Sequence, residues 1–372
     1  MERVAGQVGA VVARALAERE AGEAGLAAAS ESLERWSDDI AAGDARIEAA
    51  MSNSQDPFAL SFGEPVLSAF DPGPFGPVTV VAADGSSIAP DRYAPVHCYV
   101  VNIGVAVLPY GTPVPASLSA RPLAGPTLSP DSLDLPGGAV NLLRDVMELE
   151  GGVATAMAAR DGGDLVLLMD GTLLPWDLDS PAIPEAVRNV LRVRTRDALD
   201  TLAAAGPALS VAAYVSASRA SDVANSLQAL HSSPPPLWPA SDGVIFRGIL
   251  ADGQRSALFR AQSHRPGRVE QGFSPEHDIC FFYVAVGGDI ARVELPHWAA
   301  TAGRMLRLHA AIVDQCRRCN GYPRVLQEAH EQAVISMSDR QAFSRLLDSE
   351  ASRQGLRNPL AGKQNSKRRR SV

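Results

Sequence analysis

The sequence predicts an α/β protein built on a mixed sheet with helices against it. Two apolar runs each end in Asp-Gly: Val78-Thr-Val-Val-Ala-Ala-Asp84 and Leu165-Val-Leu-Leu-Met-Asp170. Helical periodicity fills the stretch between them and much of the chain after them. A third signal is the pair Ile279–Val286 and Ile290–Leu295, which flank Gly287-Gly288 as a hairpin.

Bulk properties narrow the class. The 372 residues are enough for a full core in one large domain or in two to three smaller ones. A formal charge of −8 and a pI near 5.4 argue against a protein that coats nucleic acid nonspecifically. They leave room for a local basic groove, since net charge describes the overall field and not one site. Four scattered cysteines (Cys98, Cys280, Cys316, Cys319) are no disulfide framework. There is no basic-then-apolar leader and no apolar run near 18 residues, so the expected location is the cytoplasm, with no membrane contact.

In chain order, residues 1–52 are rich in Ala, Glu and Arg, and Val4, Val8, Val11 and Leu16 recur at helical spacing. This reads as a helical extension, packed on its own domain or against a second subunit. Residues 53–77 hold many Pro, Gly and Ser and read as a linker; the main domain then spans 78–355. The strand ending at Asp84 is followed by one from about His97 to Leu108, near enough to pair antiparallel. Prolines make 109–138 loop-like. From Leu142 to about Ala159, apolar residues at 142, 146, 149, 153 and 157 form a helical stripe, which Gly151-Gly152 weakens. The run at 165–170 is apolar throughout, as in a strand buried on both faces. Pro184–Ala204 is a helix, Ala208–Val215 a strand and Ser221–Leu230 a helix. A less regular segment runs to about 275, and helices then cover 296–318, 323–336 and 338–353. The tail, 356–372, carries Lys363, Lys367 and Arg368 to Arg370 and is expected to be disordered, with possible contact to nucleic acid.

The carboxylates give this order a chemical meaning. A strand with Asp84, an antiparallel strand, a helix with glutamates and a buried strand with Asp170 is the order in which ribonuclease H-like folds bring acidic residues to one sheet edge. Carboxylate oxygens suit Mg²⁺ or Mn²⁺, and two such ions about 3.5–4 Å apart activate water and stabilise the leaving oxygen in phosphodiester cleavage. Taken singly, each Asp-Gly is more often a turn. On the helix, Glu150 shares a partly apolar row with Val146 and Ala154, whereas Glu148 follows Arg144 by one turn and reads as a solvated ion pair. Glu150 is therefore favoured over Glu148.

Other readings of the same letters are weaker. Asp-Gly-Thr also occurs in haloacid dehalogenase-type phosphatases, but here Leu168 occupies the place of their nucleophilic aspartate, so no aspartyl-phosphate can form. Cys316 and Cys319 have the spacing of half a zinc site without a second half nearby, and read as structural. Arg292 and Glu294 share one strand face, either orienting each other or approaching the site. Arg219 and Arg324 are candidates for DNA phosphate contacts. No phosphate-cradling Gly-Lys-Ser/Thr loop is present, so an ATP-driven motor would be a separate chain.

Asp84-Gly-Ser-Ser, Leu167-Leu-Met-Asp170-Gly-Thr-Leu, Ala291-Arg-Val-Glu-Leu-Pro296-His-Trp and Gly321-Tyr322-Pro-Arg-Val-Leu-Gln-Glu-Ala-His330 together resemble the NurA nuclease family over roughly residues 75–350. The Tyr-Pro with a histidine eight positions after the tyrosine is the most specific part. The resemblance implies a ribonuclease H-like core and manganese-dependent DNA cleavage, as single-strand endonuclease and 5′→3′ exonuclease. It also implies homodimers that dock on the hexameric DNA translocase HerA and act in DNA-end resection for recombinational repair. By motif, Asp84 and Asp170 would be metal ligands, Glu150 or Glu148 the third, and Tyr322 and His330 would complete the site, with His330 as a ligand or proton shuttle. Mg²⁺ is the alternative metal. A non-catalytic DNA clamp or translocase adaptor on the same fold is the competing class.

Overall fold

The computed structural model describes residues 8, 22–91, 94, 96–126, 137–262 and 273–356. The basic tail, and Val4, Val11 and Leu16 of the extension, lie outside them. In chain order the elements begin with helix α1 (22–38 among the described residues) and α2 (Ile40–Met51). Strands β1 (Phe58–Ser61), β2 (Ala69–Phe70), β3 (Val78–Ile88), β4 (Cys98–Tyr110) and β5 (Ser117–Pro126) follow. Next come α3 (Gly137–Ala158), β6 (Leu165–Asp170), α4 (Glu185–Ala204), β7 (Leu209–Val215), α5 (Asp222–Leu230) and α6 (Asp242–Arg247). Strands β8 (Arg255–Ser256), β9 (Phe259–Gln262), β10 (Ile279–Val286) and β11 (Asp289–Pro296) precede helices α7 (Ala302–Arg317), α8 (Arg324–Ala333) and α9 (Met337–Arg353). Among the described residues no helix is long and apolar enough to cross a membrane.

The chain divides into two compact units. The first comprises residues 1–76, 170–173 and 209–324. Its strands run β1-β9-β10-β11-β7, and every neighbouring pair is antiparallel. The β10–β11 hairpin closes between Val286 and Asp289, with Gly287 and Gly288 both at positive φ, as a tight two-residue turn demands. All eight residues of β10 are buried, so its run of apolar and aromatic residues meets packing on both faces. Ala29, Leu33 and Trp36, one face of α1, and Ile47 of α2 enter the same core as Phe58, Leu227, Phe246, Phe259, Phe281 and Tyr283. The described part of α1 thus buries one face in the core of its own unit. The expected linker 53–77 contributes β1 to this sheet, with Phe58, Ala59 and Leu60 buried. The segment read as less regular holds α6, β8 and β9, each too short to show a period.

A charged network lies inside this core. Asp242 accepts backbone N–H bonds from Val223 (3.1 Å) and Ala224 (2.8 Å) at the start of α5, and a bond from the Tyr283 hydroxyl (2.6 Å). Burial, with nearby Asp222 acting in the same direction, raises the Asp242 carboxyl to about 7.

The second unit comprises residues 77–169, 174–208 and 325–372. Its strands run β6-β3-β4-β5; β3 pairs parallel with β6, and the other pairs are antiparallel. This is the mixed sheet that the sequence predicts. β5 lies where a loop was expected, because Pro122 and Pro126 argue against a strand. It is an edge strand, almost wholly exposed, where a missing N–H costs no ladder bond. Helix α3 lies close on the sheet. A Cβ on Gly152 would stand 3.0 Å from Met169 Sδ and 3.2 Å from Leu167 Cδ1, and one on Gly151 would stand 2.9 Å from Ile103 Cγ2. The glycine pair that weakens the helix in isolation is what lets it approach the strands.

Helix α8 is held to the sheet at least as tightly. A Cβ on Gly104 of β4 would fall 2.2 Å from the Ala329 carbonyl oxygen and 2.3 Å from the Ala333 nitrogen, both backbone atoms of α8. The Asn102 side chain donates to the carbonyls of Gln332 (3.0 Å) and Ala333 (2.9 Å), and the Ser86 hydroxyl donates to Ala333 as well. Carbonyls that a helix C-terminus leaves unpaired are thus satisfied by side chains of the sheet.

Gly104→Ala is expected to cost about 3 kcal/mol, the upper part of the overpacking range, because backbone atoms cannot yield as side chains do; the urea unfolding midpoint reads this. A second expectation concerns pH. The folded Asp242 carboxyl holds its proton up to about 7, against roughly 3.9 in an unfolded chain. Its contribution to stability is present below the unfolded value and is lost as pH rises through about 7. The melting temperature should therefore fall between roughly pH 4 and pH 7, and Asp242→Asn should flatten that fall in calorimetry.

Candidate metal centre

Asp84 lies where β3 leaves the core, after five buried residues from Val78 to Ala82 and buried Ala83. Its Oδ1 accepts from the Gly85 amide at 2.8 Å, and its Oδ2 is 2.7 Å from His330 Nδ1. The Asp84 side chain is 15% exposed and that of His330 65%, so the imidazole covers the carboxylate from the solvent side. With Nδ1 donating, a neutral imidazole keeps the lone pair of Nε2 outward. The register explains why these two meet: Asp84 pairs with Gly104 on β4, and Gly104 is the point where α8 presses on the strand.

Helix α3 carries both candidate glutamates, and the structure places them differently. Glu150 is engaged by Arg194 of α4 in a two-pronged ion pair, Oε1 to Nε at 2.7 Å and Oε2 to Nη2 at 2.5 Å. Glu148 is buried, at 8% exposure, and its Oε2 lies 3.2 Å from where a Cβ on Gly85 would stand. The cause is helical geometry. Glu148 precedes Gly151 and Gly152, the residues that touch the sheet, by three and four positions, and so shares their face. Arg144 lies one turn earlier on that row, with Cγ 2.8 Å from the same point over Gly85. The row judged from Val146 and Ala154 fails because Ala154 is exposed.

Arg144 is the counter-charge. Its Nε and Nη2 donate to Asp145 Oδ1 at 3.1 and 2.5 Å. Burial alone would lower its pKa, but Asp145, Glu148 and Asp84 together raise it. Burial pushes the Asp145 carboxyl upward, Arg144 works against this, and Asp177 adds to it.

The other predicted residues are placed as follows. Asp170 ends β6 and is exposed; Met169 before it pairs with Ala83, the residue before Asp84. Tyr322 packs edge-on against Tyr214, ring centres 5.8 Å apart at 81°, and its amide donates to the Cys319 carbonyl at 3.1 Å. Arg219 lies in the turn after β7, and Arg324, exposed, opens α8. Cys316 is buried with its thiol 3.7 Å from the Tyr214 hydroxyl, and burial pushes its pKa up to about 12, the mark of a structural thiol. Ser86 and Asn102, which hold α8 in place, were not singled out in the sequence; an asparagine within an apolar strand is the signal that points to one of them.

Among the described residues no three His, Cys, Asp or Glu side chains close around one point as a finished metal cage. The donors that do gather, Asp84 and Glu148 beside Gly85, are hard oxygen ligands of the kind that suits Mg²⁺ or Mn²⁺. They fit a divalent ion in charge and chemistry.

Fold and site together define an α/β protein with a mixed sheet and a carboxylate–histidine pair where Asp84 of β3 meets α8. The chain belongs to the NurA domain family, whose profile matches residues 78–335. Among solved structures it is similar to the NurA nuclease from Sulfolobus solfataricus, with 15% identity over 77% of this chain and 88% of that one and a TM-score of 0.54, which establishes a shared fold. It is also similar to a NurA bound to dAMP and manganese (10% identity, 74% and 88% covered, TM-score 0.44) and to a NurA with manganese (12%, 86% and 98%, TM-score 0.40). No curated protein sequence matches it.

Proposed function

We propose that this chain is a divalent-metal-dependent DNA nuclease that hydrolyses phosphodiester bonds. Membership of the NurA domain family supports the reading, and one observation carries it: His330 Nδ1 stands 2.7 Å from Asp84 Oδ2, with Glu148 facing the adjacent Gly85. Asp84, Glu148 and Asp170 would hold Mn²⁺ or Mg²⁺. When bound, the ion supplies an activated water and neutralises charge building on the phosphoryl oxygens.

The remaining steps belong to the chain's own groups. Gly85 N–H and His330 Nδ1 fix both oxygens of Asp84. The same contact orients the imidazole, so that Nε2 can exchange a proton at the leaving 3′ oxygen. Arg144 balances the gathered carboxylates before substrate arrives. Tyr322 joins this set on the strength of its motif. The proposed activity is single-strand endonuclease and 5′→3′ exonuclease in DNA-end resection, in the cytoplasm. A separate HerA-type translocase would be the motor, since the chain has no phosphate-cradling loop, and a homodimer the working form.

On labelled single-stranded DNA with Mn²⁺, Asp84→Asn, Glu148→Gln and His330→Ala should each lower the cleavage rate by about 10²-fold or more, the scale of lost acid–base or charge stabilisation. Glu150→Gln should stay within a few-fold of wild type, because its partner is Arg194; equal loss in both glutamate variants would restore Glu150 to the site. Chelation by EDTA should abolish cleavage, with Mn²⁺ or Mg²⁺ restoring it. Wild-type protein that binds DNA and cleaves none with any divalent metal would establish the adaptor reading instead.

A further inference from the structure

The turn after Asp170 is tied to a buried set of charges that plays no part in the chemistry above. Gly171, at φ +77°, donates its amide to the Tyr214 carbonyl at 3.0 Å. The Thr172 hydroxyl donates to Glu294 Oε2 at 2.8 Å, and the Leu173 amide donates to the same oxygen at 3.2 Å. Three consecutive residues after the aspartate are thus pinned by hydrogen bonds, and the Leu173 side chain is buried. The other oxygen of Glu294 accepts from Arg292 Nε at 2.8 Å, and Arg292 Nη1 reaches Asp222 Oδ2 at 3.0 Å. The Arg292 guanidinium lies 3.6 Å over the Phe281 ring. Glu294 and Arg292 are each 5% exposed and Asp222 is 7% exposed.

Charges buried to this degree are weak stabilisers, because desolvation offsets much of their attraction, and apolar side chains of similar volume would hold a core as well. What an ionised carboxylate adds is direction: Glu294 can accept several bonds at fixed angles, with one oxygen committed to Arg292 and the other to the turn. The restrained turn follows the one predicted ligand whose side chain is exposed at a strand end. A carboxylate that must converge with other carboxylates on an ion repels them until the ion binds, so its backbone has to be fixed beforehand.

We propose that Glu294, aligned by Arg292 and acting through Thr172 and Leu173, is the positioning residue for Asp170. This rests on the metal-site reading above. Glu294 touches neither metal nor substrate; it sets the direction from which Asp170 approaches the ion.

The test is direct Mn²⁺ binding to the full-length protein, by paramagnetic resonance of the free ion, with melting temperature and cleavage rate recorded alongside. Thr172→Val keeps the shape and removes the hydroxyl. It should weaken Mn²⁺ binding about tenfold at an unchanged melting temperature, and Thr172→Ser should restore binding. In an Asp170→Asn background Thr172→Val should have no further effect, since the residue it positions is gone. Wild-type affinity in Thr172→Val, or an equal loss with and without Asp170, overturns the proposal. Amide exchange at Leu173 reads the turn without metal: it should accelerate in Glu294→Gln, and exchange at the wild-type rate overturns the proposal too. A wild-type protein that binds no Mn²⁺ while Leu173 exchange still accelerates in that variant would refute the metal-site reading and leave Glu294 as the residue that holds the turn.

Discussion

The second unit depends on helices lying almost backbone to backbone on the strands. At Gly104 there is no room for a single carbon between β4 and α8, and at Gly152 the space over Leu167 and Met169 is barely larger. Close-packed interiors transmit such contacts rigidly, so the strand positions dictate the helix positions to a fraction of an ångström. Asp84 pairs with Gly104, and His330 is therefore carried over the carboxylate by the same contact that seats its helix. The clamp of Ser86 and Asn102 on the end of α8 completes that placement.

Charge is handled differently in the two units. In the second, the Arg144 and Asp145 side chains are partly open to solvent, each at 30%, beside buried Glu148. In the first, Asp222, Arg292, Glu294, Tyr283 and Asp242 are sealed in the core and joined by hydrogen bonds. A sealed network of that kind resists rearrangement, because freeing any one member leaves another buried and unpaired.

The elements legible in the chain were those with enough length to show a period. The runs ending in Asp84 and Asp170, the β10–β11 hairpin and helices α3, α4, α5 and α7 to α9 belong here. Shorter pieces were hidden. β1 and β9 have four residues each, and β1 gains its stability from Phe259 and its neighbours across the sheet, far away in sequence. β5 was hidden by its prolines, which are tolerated only because the strand is at an edge.

The sequence by itself determined the order of acidic strand, glutamate helix and acidic strand, the Tyr…His spacing near the end, and the absence of a nucleotide loop. These are properties of covalent order and residue chemistry, and no folding is needed to read them. Only the tertiary structure shows that Glu148 faces Gly85 while Glu150 pairs with Arg194. Helical periodicity says which residues share a face, but which face meets the sheet is set by the partners available: two glycines that allow contact on one side, and Arg194 on the other.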